Sequence, residues 1–392
     1  MAEKVRLGII GVGNMGGAHL DNFLEGQLPE IDVTAVADVD PARLEAAKAK
    51  CPALHCYDNA SALIRSGDVD AVIIATPHYF HPPIGIEALQ NGVHVMSEKP
   101  AGVYTKQVNE LIEVAKHSDK TYAIMFNQRT NCVFRKVREL VQNGGYGEMK
   151  RVSWIITDWF RTQQYYDSGA WRATWAGEGG GVMLNQCPHQ LDLWQWICGM
   201  PSKIRAVCSV GKWHDIEVED DVTIYAEYPN GATGTFITST GDCPGTNRLE
   251  ITLDRAKIIC EHNQRTGEHE IWLCELSGST ADYIKTSDKG FGRLESKWVK
   301  VSVDGSNPQH IGVMNAFAAH ILHGAPLIAD GAEGINGLTI SNAAFLSSWL
   351  NKEVTLPLDE DLYYELLQEK IKNSKYKKNV SAKVEEDMRS TY

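Results

Sequence analysis

The first third of the chain alternates short apolar runs with segments of helical periodicity. The apolar runs have the length of strands, and they occur at residues 5–10, 31–37, 71–75, 93–97 and 122–126. Most of them lack polar alternation, which is typical of strands that are buried on both faces. This pattern predicts a parallel, doubly wound α/β sheet in the N-terminal part of the chain.

The pattern changes after residue 126. One helical segment at 132–142 is followed by strand-like runs at 150–157, 203–210, 222–228, 233–238, 248–253, 257–261 and 268–273. Turn signals such as Pro229-Asn230-Gly231 separate them, which favours a largely antiparallel sheet. Helices are expected at 312–323 and 331–347. We therefore predict an N-terminal domain at 1–126, an α+β domain at 127–369 and a charged C-terminal tail at 370–392.

Composition narrows the function classes. The chain has 392 residues, 43% of them hydrophobic, and a formal net charge of -12, which is unfavourable for a nucleic-acid surface. Nine cysteines, none at zinc spacing, predict a reduced protein with no metal site. No apolar run reaches membrane-spanning length, and the first strand begins too early to leave room for a signal peptide. We expect a cytoplasmic protein.

A glycine-rich turn follows the first apolar run. Gly11, Gly13 and Gly16 have the G-x-G-x-x-G spacing, with Asn14 and Met15 between the last two. This spacing allows a tight turn and brings backbone N–H groups close to a pyrophosphate, although a plain tight connection is the alternative. Asp38 ends the second apolar run, where a dinucleotide fold places the acceptor for the ribose hydroxyls. A carboxylate there favours NAD over NADP.

Lys99 ends another buried run, in the sequence Glu98-Lys99-Pro100. A lysine that is partly desolvated beside a cofactor can act as an acid or a base. The alternative is an exposed lysine at a strand end that pairs with Glu98.

The glycines at 179–181 precede Asn185, His189 and Asp192. Three consecutive glycines indicate a close approach to a ligand or to backbone. In one continuous helix, Asn185 and His189 would share a face, but Pro188 would interrupt that helix. The alternative is a core histidine paired with Asp192.

Aromatic and cationic side chains are concentrated between these two motifs. Arg161, Tyr165, Trp171 and Arg172 combine aromatic faces with hydrogen-bond donors, which suits a hydroxylated ring. We expect these four residues to line a pocket.

Together these motifs resemble the glucose-fructose oxidoreductase / inositol dehydrogenase (Gfo/Idh/MocA) family, over the chain up to about residue 357. The resemblance rests on the glycine loop, on Ala75-Thr76-Pro77 with His81, on the run 92–100 that ends in Glu98-Lys99-Pro100, and on the glycines that lead to His189. It implies a Rossmann domain, a substrate and oligomerisation domain whose open sheet forms subunit contacts, and NAD. It further implies that Thr76, His81, Glu98, Lys99 and Gln128 join the glycine loop and Asp38 in binding the cofactor.

The family's catalytic lysine and histidine correspond to Lys99 and His189. Where relatives commonly have aspartate four residues before that histidine, this chain has Asn185, which cannot take up a proton and is expected to orient substrate. The implied reaction is NAD-dependent oxidation of a ring hydroxyl of a sugar, glycoside or cyclic polyol, or its reverse. A narrower hypothesis is oxidation at C3 of a glycoside or anhydrosugar.

Two other functions remain open from the sequence. One is an NAD-dependent glycosidase-like enzyme, in which hydride leaves the sugar and returns without net redox change. The other is a catalytically silent sugar or dinucleotide sensor on the same scaffold.

Overall fold

The computed structural model describes residues 4–375, and these form two sheets. The first sheet has six parallel strands: β1 (Val5–Ile10), β2 (Ile31–Ala37), β3 (His55–Tyr57), β4 (Ala71–Ile74), β5 (His94–Ser97) and β6 (Tyr122–Ile124). Their order, β3-β2-β1-β4-β5-β6, reverses direction between β1 and β4. Ligands of such sheets bind at the carboxyl ends of the strands beside this reversal.

Helices connect these parallel strands. They are α1 (Asn14–Leu24), α2 (Pro41–Lys50), α3 (Ala60–Ile64), α4 (His81–Gln90) and α5 (Thr105–Lys116). The residues of β4 are completely buried, which agrees with an apolar run covered on both faces. The predicted parallel α/β sheet is confirmed.

The second sheet has nine strands: β7 (Met149–Ile156), β8 (Lys203–Val210), β9 (Glu219–Glu227), β10 (Thr233–Ser239), β11 (Asn247–Leu253), β12 (Ala256–Asn263), β13 (Glu268–Leu276), β14 (Ser296–Val301) and β15 (Val354–Thr355). Their order is β14-β13-β12-β11-β7-β10-β9-β8-β15. Only β7 and β10 pair in parallel, so the predicted, largely antiparallel sheet is also confirmed.

The later helices are α6 (Cys132–Asn143), α7 (Gln163–Asp167), α8 (Pro188–Cys198), α9 (Thr280–Thr286), α10 (Gln309–His323), α11 (Gly334–Leu350) and α12 (Glu360–Lys372). Helices α6, α8 and α11 cover one face of the second sheet. Trp194 of α8 lies 5.4 Å from Phe236 of β10, and Phe134 of α6 lies 6.0 Å from Trp154 of β7, measured between ring centroids. These aromatic contacts fix the helical layer on the sheet.

Helix α10 differs from the sequence expectation, which placed it with the second domain. Its buried residues Val313 and Phe317 share a core with Val5 and Leu7 of β1, so the helix covers a face of the first sheet. Hydrophobic periodicity identifies the helix but carries no information about which sheet it covers. Helix α10 thus packs on the N-terminal sheet although it comes late in the sequence.

Several elements were missed, and all of them except α8 have seven residues or fewer: β3, β14, β15, α3, α7, α8 and α9. Helix α12 was missed as well, and it continues to Lys372, past the predicted start of the tail at residue 370. The remainder of that predicted tail, from residue 376, lies outside the described residues. Between residues 4 and 375, no helix is both long and apolar enough to cross a membrane.

Candidate active site at the carboxyl ends of the parallel strands

The glycine loop connects β1 to α1 beside the end of β4. Gly11 has a φ of +88°, and a Cβ there would lie 2.8 Å from the carbonyl oxygen of Ala75. A Cβ on Gly16 would lie only 1.8 Å from the carbonyl oxygen of Gly11. Two of the three motif glycines are therefore required by backbone contacts, Gly16 within the turn and Gly11 against the end of β4.

The start of α1 is suited to an anion. The helix begins at Asn14, with Met15 in its first turn, and Gly13 before it offers no side chain to cap the free N–H groups. These N–H groups and the helix dipole form a site that phosphate groups occupy in dinucleotide folds. The residues present therefore fit a pyrophosphate.

Asp38 lies at the end of β2, next to this turn. Its two carboxylate oxygens accept hydrogen bonds from the N–H groups of Val12 and Asp40, both at 2.9 Å. These bonds hold a carboxylate beside the glycine loop, as a ribose acceptor requires.

Arg43 was missed by the sequence argument, which considered only the residues directly after Asp38. The first turns of α2 bring its Nη1 to 3.6 Å from Oδ2 of Asp38 and its Nε to 3.6 Å from Oδ2 of Asp40. A guanidinium group therefore lies beside the predicted ribose acceptor.

Thr76 and His81 follow β4. The ring nitrogens of His81 lie 2.8 Å from the carbonyl oxygen of Pro100 and 2.7 Å from that of Thr76, so the ring links the ends of β4 and β5. Both ring nitrogens thus contact backbone, which favours a positioning role. The hydroxyl of Thr76 is buried and has no hydrogen-bond partner among the described residues, so it can still bond a ligand.

Glu98 ends β5 as a buried anion. Its Oε1 lies 2.8 Å from Nε2 of His19 on α1. Burial alone would raise the pKa of Glu98, but the bond and charge of His19, together with the charge of His310, lower it to about 2. His19 and His310 were not predicted, because nothing in their spacing links them to the strand end.

Gln128 lies in a short 3-10 helix, Asn127–Thr130, that follows β6. Its Nε2 donates to Oε1 of Gln309 at 3.1 Å, and Asn127 donates to the same oxygen at 2.7 Å. Gln309 begins α10 with a φ of +51°, an uncommon conformation for a residue with a side chain. Gln128 therefore lies at the same edge of the sheet as the other predicted cofactor residues.

Lys99 is half-buried and points toward the second half of the chain. Its Nζ donates to the backbone carbonyl of Asn185 at 3.1 Å. Lys99 is therefore not the exposed lysine of the alternative interpretation, and Oε1 of Glu98 contacts His19. The lysine thus connects the end of β5 to the segment that carries His189.

His189 lies in the first turn of α8, which begins at Pro188, where a missing N–H costs no helical bond. Asn185 precedes the helix in a turn, so the two residues do not belong to one continuous helix. His189 is 1% exposed, and burial lowers its pKa well below the ordinary value, with further lowering by the charge of Lys99. The imidazole is consequently neutral at physiological pH.

Asp192 does not serve as the partner of His189. Its carboxylate receives Nε and Nη2 of Arg129 at 2.8 and 2.7 Å, and Arg129 also bonds Glu333 at 2.7 Å. The alternative of a His189–Asp192 pair is therefore wrong. The Arg129–Asp192 pair is buried, and it ties the segment after β6 to α8.

The predicted pocket residues lie beside this segment. The hydroxyl of Tyr165 accepts hydrogen bonds from Arg172 at 2.8 Å and from Gln186 at 3.2 Å. The guanidinium carbons of Arg161 and Arg172 lie 5.2 and 4.5 Å from the centre of the Tyr165 ring. Trp171 contacts the edge of His78, with 6.0 Å between ring centroids. The structure thus brings Arg161, Tyr165 and Arg172 into contact, with Trp171 next to Arg172.

The glycines at 179–181 are explained by packing against the protein itself. A Cβ on Gly181 would lie 2.0 Å from the carbonyl oxygen of Glu219, and one on Gly179 would lie 2.2 Å from Val103. The sequence predicted that these glycines allow close approach either to a ligand or to backbone. The structure shows close approach to backbone at Gly181.

A buried carboxylate precedes these glycines. Glu178 is 1% exposed, accepts from the N–H of Ala173 at 2.6 Å, and also accepts from the side-chain amide of Asn185. Burial raises the pKa of Glu178, while the charges of Arg172 and Lys99 oppose that rise. Sequence reasoning passed over this residue because an isolated glutamate carries no motif.

No cluster of three or more potential ligand residues within residues 4–375 could hold a metal ion. The glycine loop, Asp38, Lys99 after β5 and His189 in α8 are together typical of a dinucleotide-binding oxidoreductase. Residues 5–126 match the model of the oxidoreductase family with an NAD-binding Rossmann fold, and residues 134–259 match the GFO/IDH/MocA C-terminal domain. The chain belongs to the GFO/IDH/MocA family of oxidoreductases.

Individual relatives agree with this assignment. Myo-inositol 2-dehydrogenase of Thermotoga maritima is 23% identical over 91% of this chain and 99% of its own length. A 1-carboxy-3-chloro-3,4-dihydroxycyclohexa-1,5-diene dehydrogenase of Comamonas testosteroni is 29% identical, but the match spans only 48% of this chain and 46% of that relative. The crystal structure of the WlbA dehydrogenase of Chromobacterium violaceum, in complex with NADH and UDP-GlcNAcA, superposes with a TM-score of 0.78, is 26% identical, and covers 92% of this chain and 98% of WlbA.

Proposed function

We propose that this protein is an NAD-dependent dehydrogenase that oxidises a ring hydroxyl of a sugar, glycoside or cyclic polyol to a ketone, or catalyses the reverse reaction. The observation that carries this proposal is the placement of Lys99. Its Nζ bonds Asn185 in the segment that leads to His189, while its backbone follows Glu98 at the end of β5. The similar proteins myo-inositol 2-dehydrogenase and the WlbA dehydrogenase are named as dehydrogenases, which supports the same class of reaction for this chain.

Lys99 is the group that takes the hydroxyl proton in this proposal. When bound, NAD supplies the acceptor for the hydride that leaves the carbinol carbon. A half-buried ammonium group can lose its proton more easily than an exposed one, because burial disfavours the charged form. Neutral Lys99 then accepts the proton of the hydroxyl group as the ketone forms.

His189 and Asn185 position the substrate. A neutral imidazole can accept or donate a hydrogen bond, and the low pKa of His189 makes it a poor competitor with Lys99 for the proton. Asn185 has an amide that cannot be protonated at neutral pH, so it orients substrate rather than relaying a proton.

The cofactor-binding set comprises residues at the ends of β1, β2, β4, β5 and β6. These are Gly11, Gly13, Asn14, Met15, Gly16, Asp38, Thr76, His81, Glu98, Lys99 and Gln128. NAD is favoured over NADP because the buried carboxylate of Asp38 would repel a 2′-phosphate. Arg43 weakens this repulsion, since its guanidinium lies 3.6 Å from the same carboxylate.

The substrate pocket is assigned to Arg161, Tyr165, Trp171 and Arg172, together with Lys99, Asn185 and His189. Aromatic faces stack on the C–H face of a sugar ring, and the guanidinium groups donate to its hydroxyls. A narrower proposal is that the ring is that of a glycoside or anhydrosugar and that the oxidised position is C3.

The second sheet is proposed as the contact surface of a homo-oligomer. Val207, Tyr225, Trp272 and Trp298 are each more than a third exposed. The strand register places them on the same face, opposite the helical layer. They form two areas, one on β8 and β9 and one on β13 and β14, at opposite ends of the sheet. Large apolar side chains exposed on a sheet face are typical of association surfaces. We further propose that the first domain ends near residue 126 and that the protein works in the cytoplasm.

A substrate screen tests the proposed reaction. The protein is incubated with NAD or NADP and a panel of free sugars, glycosides, anhydrosugars and inositols, and the absorbance of the reduced cofactor is followed. We expect reduction of NAD by at least one member of the panel and loss of that activity in Lys99→Met. Turnover that is unchanged in Lys99→Met would contradict the assigned role, and cyclitol turnover without glycoside turnover would contradict the C3 proposal.

A further inference from the structure

Glu178 is the buried carboxylate that hydrogen-bonds Asn185. Its Oε2 accepts from the N–H of Ala173 at 2.6 Å, and its Oε1 accepts from Nδ2 of Asn185. Ala173 itself has a φ of +56°, a conformation that costs free energy in a residue with a Cβ. The local backbone is therefore held in a strained state that presents an N–H group to this carboxylate.

Asn185 links Glu178 to Lys99. Its backbone carbonyl accepts from Nζ of Lys99 at 3.1 Å, while its side-chain amide donates to Glu178. An amide does not pass a proton from one group to the other, so Glu178 cannot receive the proton of Lys99 through Asn185. The carboxylate can act on the lysine only through its charge and through the fixed position of Asn185.

Several charged or titratable groups surround Glu178. The charges of Arg172 and Lys99 act on its carboxylate, and its backbone carbonyl lies 3.2 Å from Nδ1 of His78. Its own charge acts in turn on Glu219 and Tyr166. In such a buried setting an unpaired negative charge favours the protonated form of a nearby amine.

We propose that Glu178 is a positioning residue that fixes Asn185 and supplies the negative charge that stabilises the ammonium form of Lys99. Glu178 thereby sets the pH at which Lys99 becomes a proton acceptor. This inference rests on the proposed function, because that function gives Lys99 its catalytic role. Glu178 thus supplies the negative charge near Lys99 that Asn185, which is an amide, cannot supply.

Two other buried glutamates lie near this site. Glu219 is equally buried, and its two oxygens accept from the N–H groups of Gly181 and Met183 at 2.8 and 3.0 Å. Glu98 bonds His19 and the N–H of Lys99, and its charge also acts on Lys99, in the wild type and in the variants alike. Glu219 provides the control, since it is a buried glutamate that holds backbone N–H groups and has no hydrogen bond to Asn185 in the structure.

The test measures the pKa of Lys99 directly and needs no substrate. Full-length protein is labelled competitively with acetic anhydride across a pH series, and mass spectrometry of the Lys99 peptide gives the labelled fraction. Glu178→Gln is expected to lower the pKa of Lys99 by on the order of one unit, because an opposing charge is removed. Glu219→Gln is expected to leave the pKa of Lys99 unchanged.

A reversed pair provides the rescue. Glu178→Gln combined with Asn185→Asp keeps one amide and one carboxylate in contact, with the negative charge now on the residue whose backbone bonds Lys99. The pKa of Lys99 is expected to return to the wild-type value or above it. If Glu178→Gln does not fold, the double variant still tests the proposal. A pKa of Lys99 below the wild-type value in the double variant would then overturn it.

Two other results would also overturn it: an unchanged pKa of Lys99 in folded Glu178→Gln, or an equal decrease in Glu219→Gln. Failure of the proposed function is distinguishable, because a wild-type protein that reduces no cofactor with any substrate leaves the labelling result intact. With a substrate in hand, the pH profile of kcat in Glu178→Gln is expected to move in the same direction as the labelling curve.

Discussion

The glycine loop of the first sheet and the segment from residue 158 to 187 are both irregular, yet they are held in different ways. In the glycine loop, the restraint that sets the spacing of the motif is local, because a Cβ on Gly16 would meet the carbonyl oxygen of Gly11, while Ala75 and Asp38 add contacts from the ends of other strands. In the second segment, buried carboxylates hold backbone N–H groups, and one of them, Glu219, comes from a distant strand. The glycine loop can therefore be recognised from the spacing of its glycines, whereas residues 158–187 have no such signal in the sequence.

Polar links join the carboxyl ends of the parallel strands to the second half of the chain. Arg129, which follows β6, pairs with Asp192 of α8, and Lys99, which follows β5, bonds Asn185. Such links fix the position of Lys99, the proposed proton acceptor, relative to the proposed pocket, so disturbing them should affect the cofactor side and the pocket side at once. Disturbing the glycine loop should affect mainly the cofactor side.

The largest expected effect comes from breaking the buried link. Asp192→Asn leaves the guanidinium of Arg129 without its bidentate partner in a buried site, and we expect a loss of about 3 kcal/mol in the free energy of unfolding. Urea denaturation measures this loss. The control is Asp361→Asn, which breaks the exposed pair with Lys106 and should cost less than about 1 kcal/mol. A loss in Asp192→Asn that is as small as the loss in Asp361→Asn would show that the Arg129–Asp192 pair is not structurally important.

Gly16→Ala tests the glycine loop. The added Cβ would lie 1.8 Å from the carbonyl oxygen of Gly11, so the turn must move, at a cost of about 1–3 kcal/mol and with loss of NAD affinity. Calorimetric titration with NAD and thermal melting measure the two effects. The neighbouring Gly17 has no atom within 4 Å of its Cβ position, so Gly17→Ala should retain both stability and affinity. Retained NAD affinity in Gly16→Ala would contradict the assigned cofactor site.

The carboxylate that holds the second segment predicts a pH dependence. Burial raises the pKa of Glu219 from 4.5 to about 8, so the folded protein binds a proton that the unfolded chain releases between these pH values. Stability is therefore lost as the pH rises through this window, by about 1.4 kcal/mol per pH unit. Glu219→Gln should flatten this part of the stability curve. A curve with the same slope in wild type and variant would contradict the assignment.

Much of the fold follows from the sequence. The unbroken apolar strands of the first sheet and the turn-separated strands of the second are local patterns, and both sheets have the predicted type. The family and the class of cofactor follow from the spacing of the glycines and of Glu98-Lys99-Pro100. The placement of α10 could not be predicted, because hydrophobic periodicity identifies a helix but not the sheet that it covers.

The candidate site was only partly accessible to sequence reasoning. Lys99, Asn185 and the His189 segment were singled out, and the structure joins Lys99 to Asn185. The partner of Asp192 was not predicted, because Arg129 lies 63 residues away and has no spacing signal. The same applies to Glu178, whose importance depends on burial and on a hydrogen bond formed by the fold.

The central claim is that hydride leaves a ring carbon of the substrate and remains on the released cofactor. Its most direct test uses an active substrate from the screen with deuterium on the carbinol carbon, in the presence of excess NAD. We predict that the deuterium is recovered in free reduced NAD, in amounts equal to the ketone formed, with a slower rate than for the unlabelled substrate. Deuterium recovered in the carbohydrate product, with no free reduced NAD, would contradict the claim and indicate a reaction without net redox change.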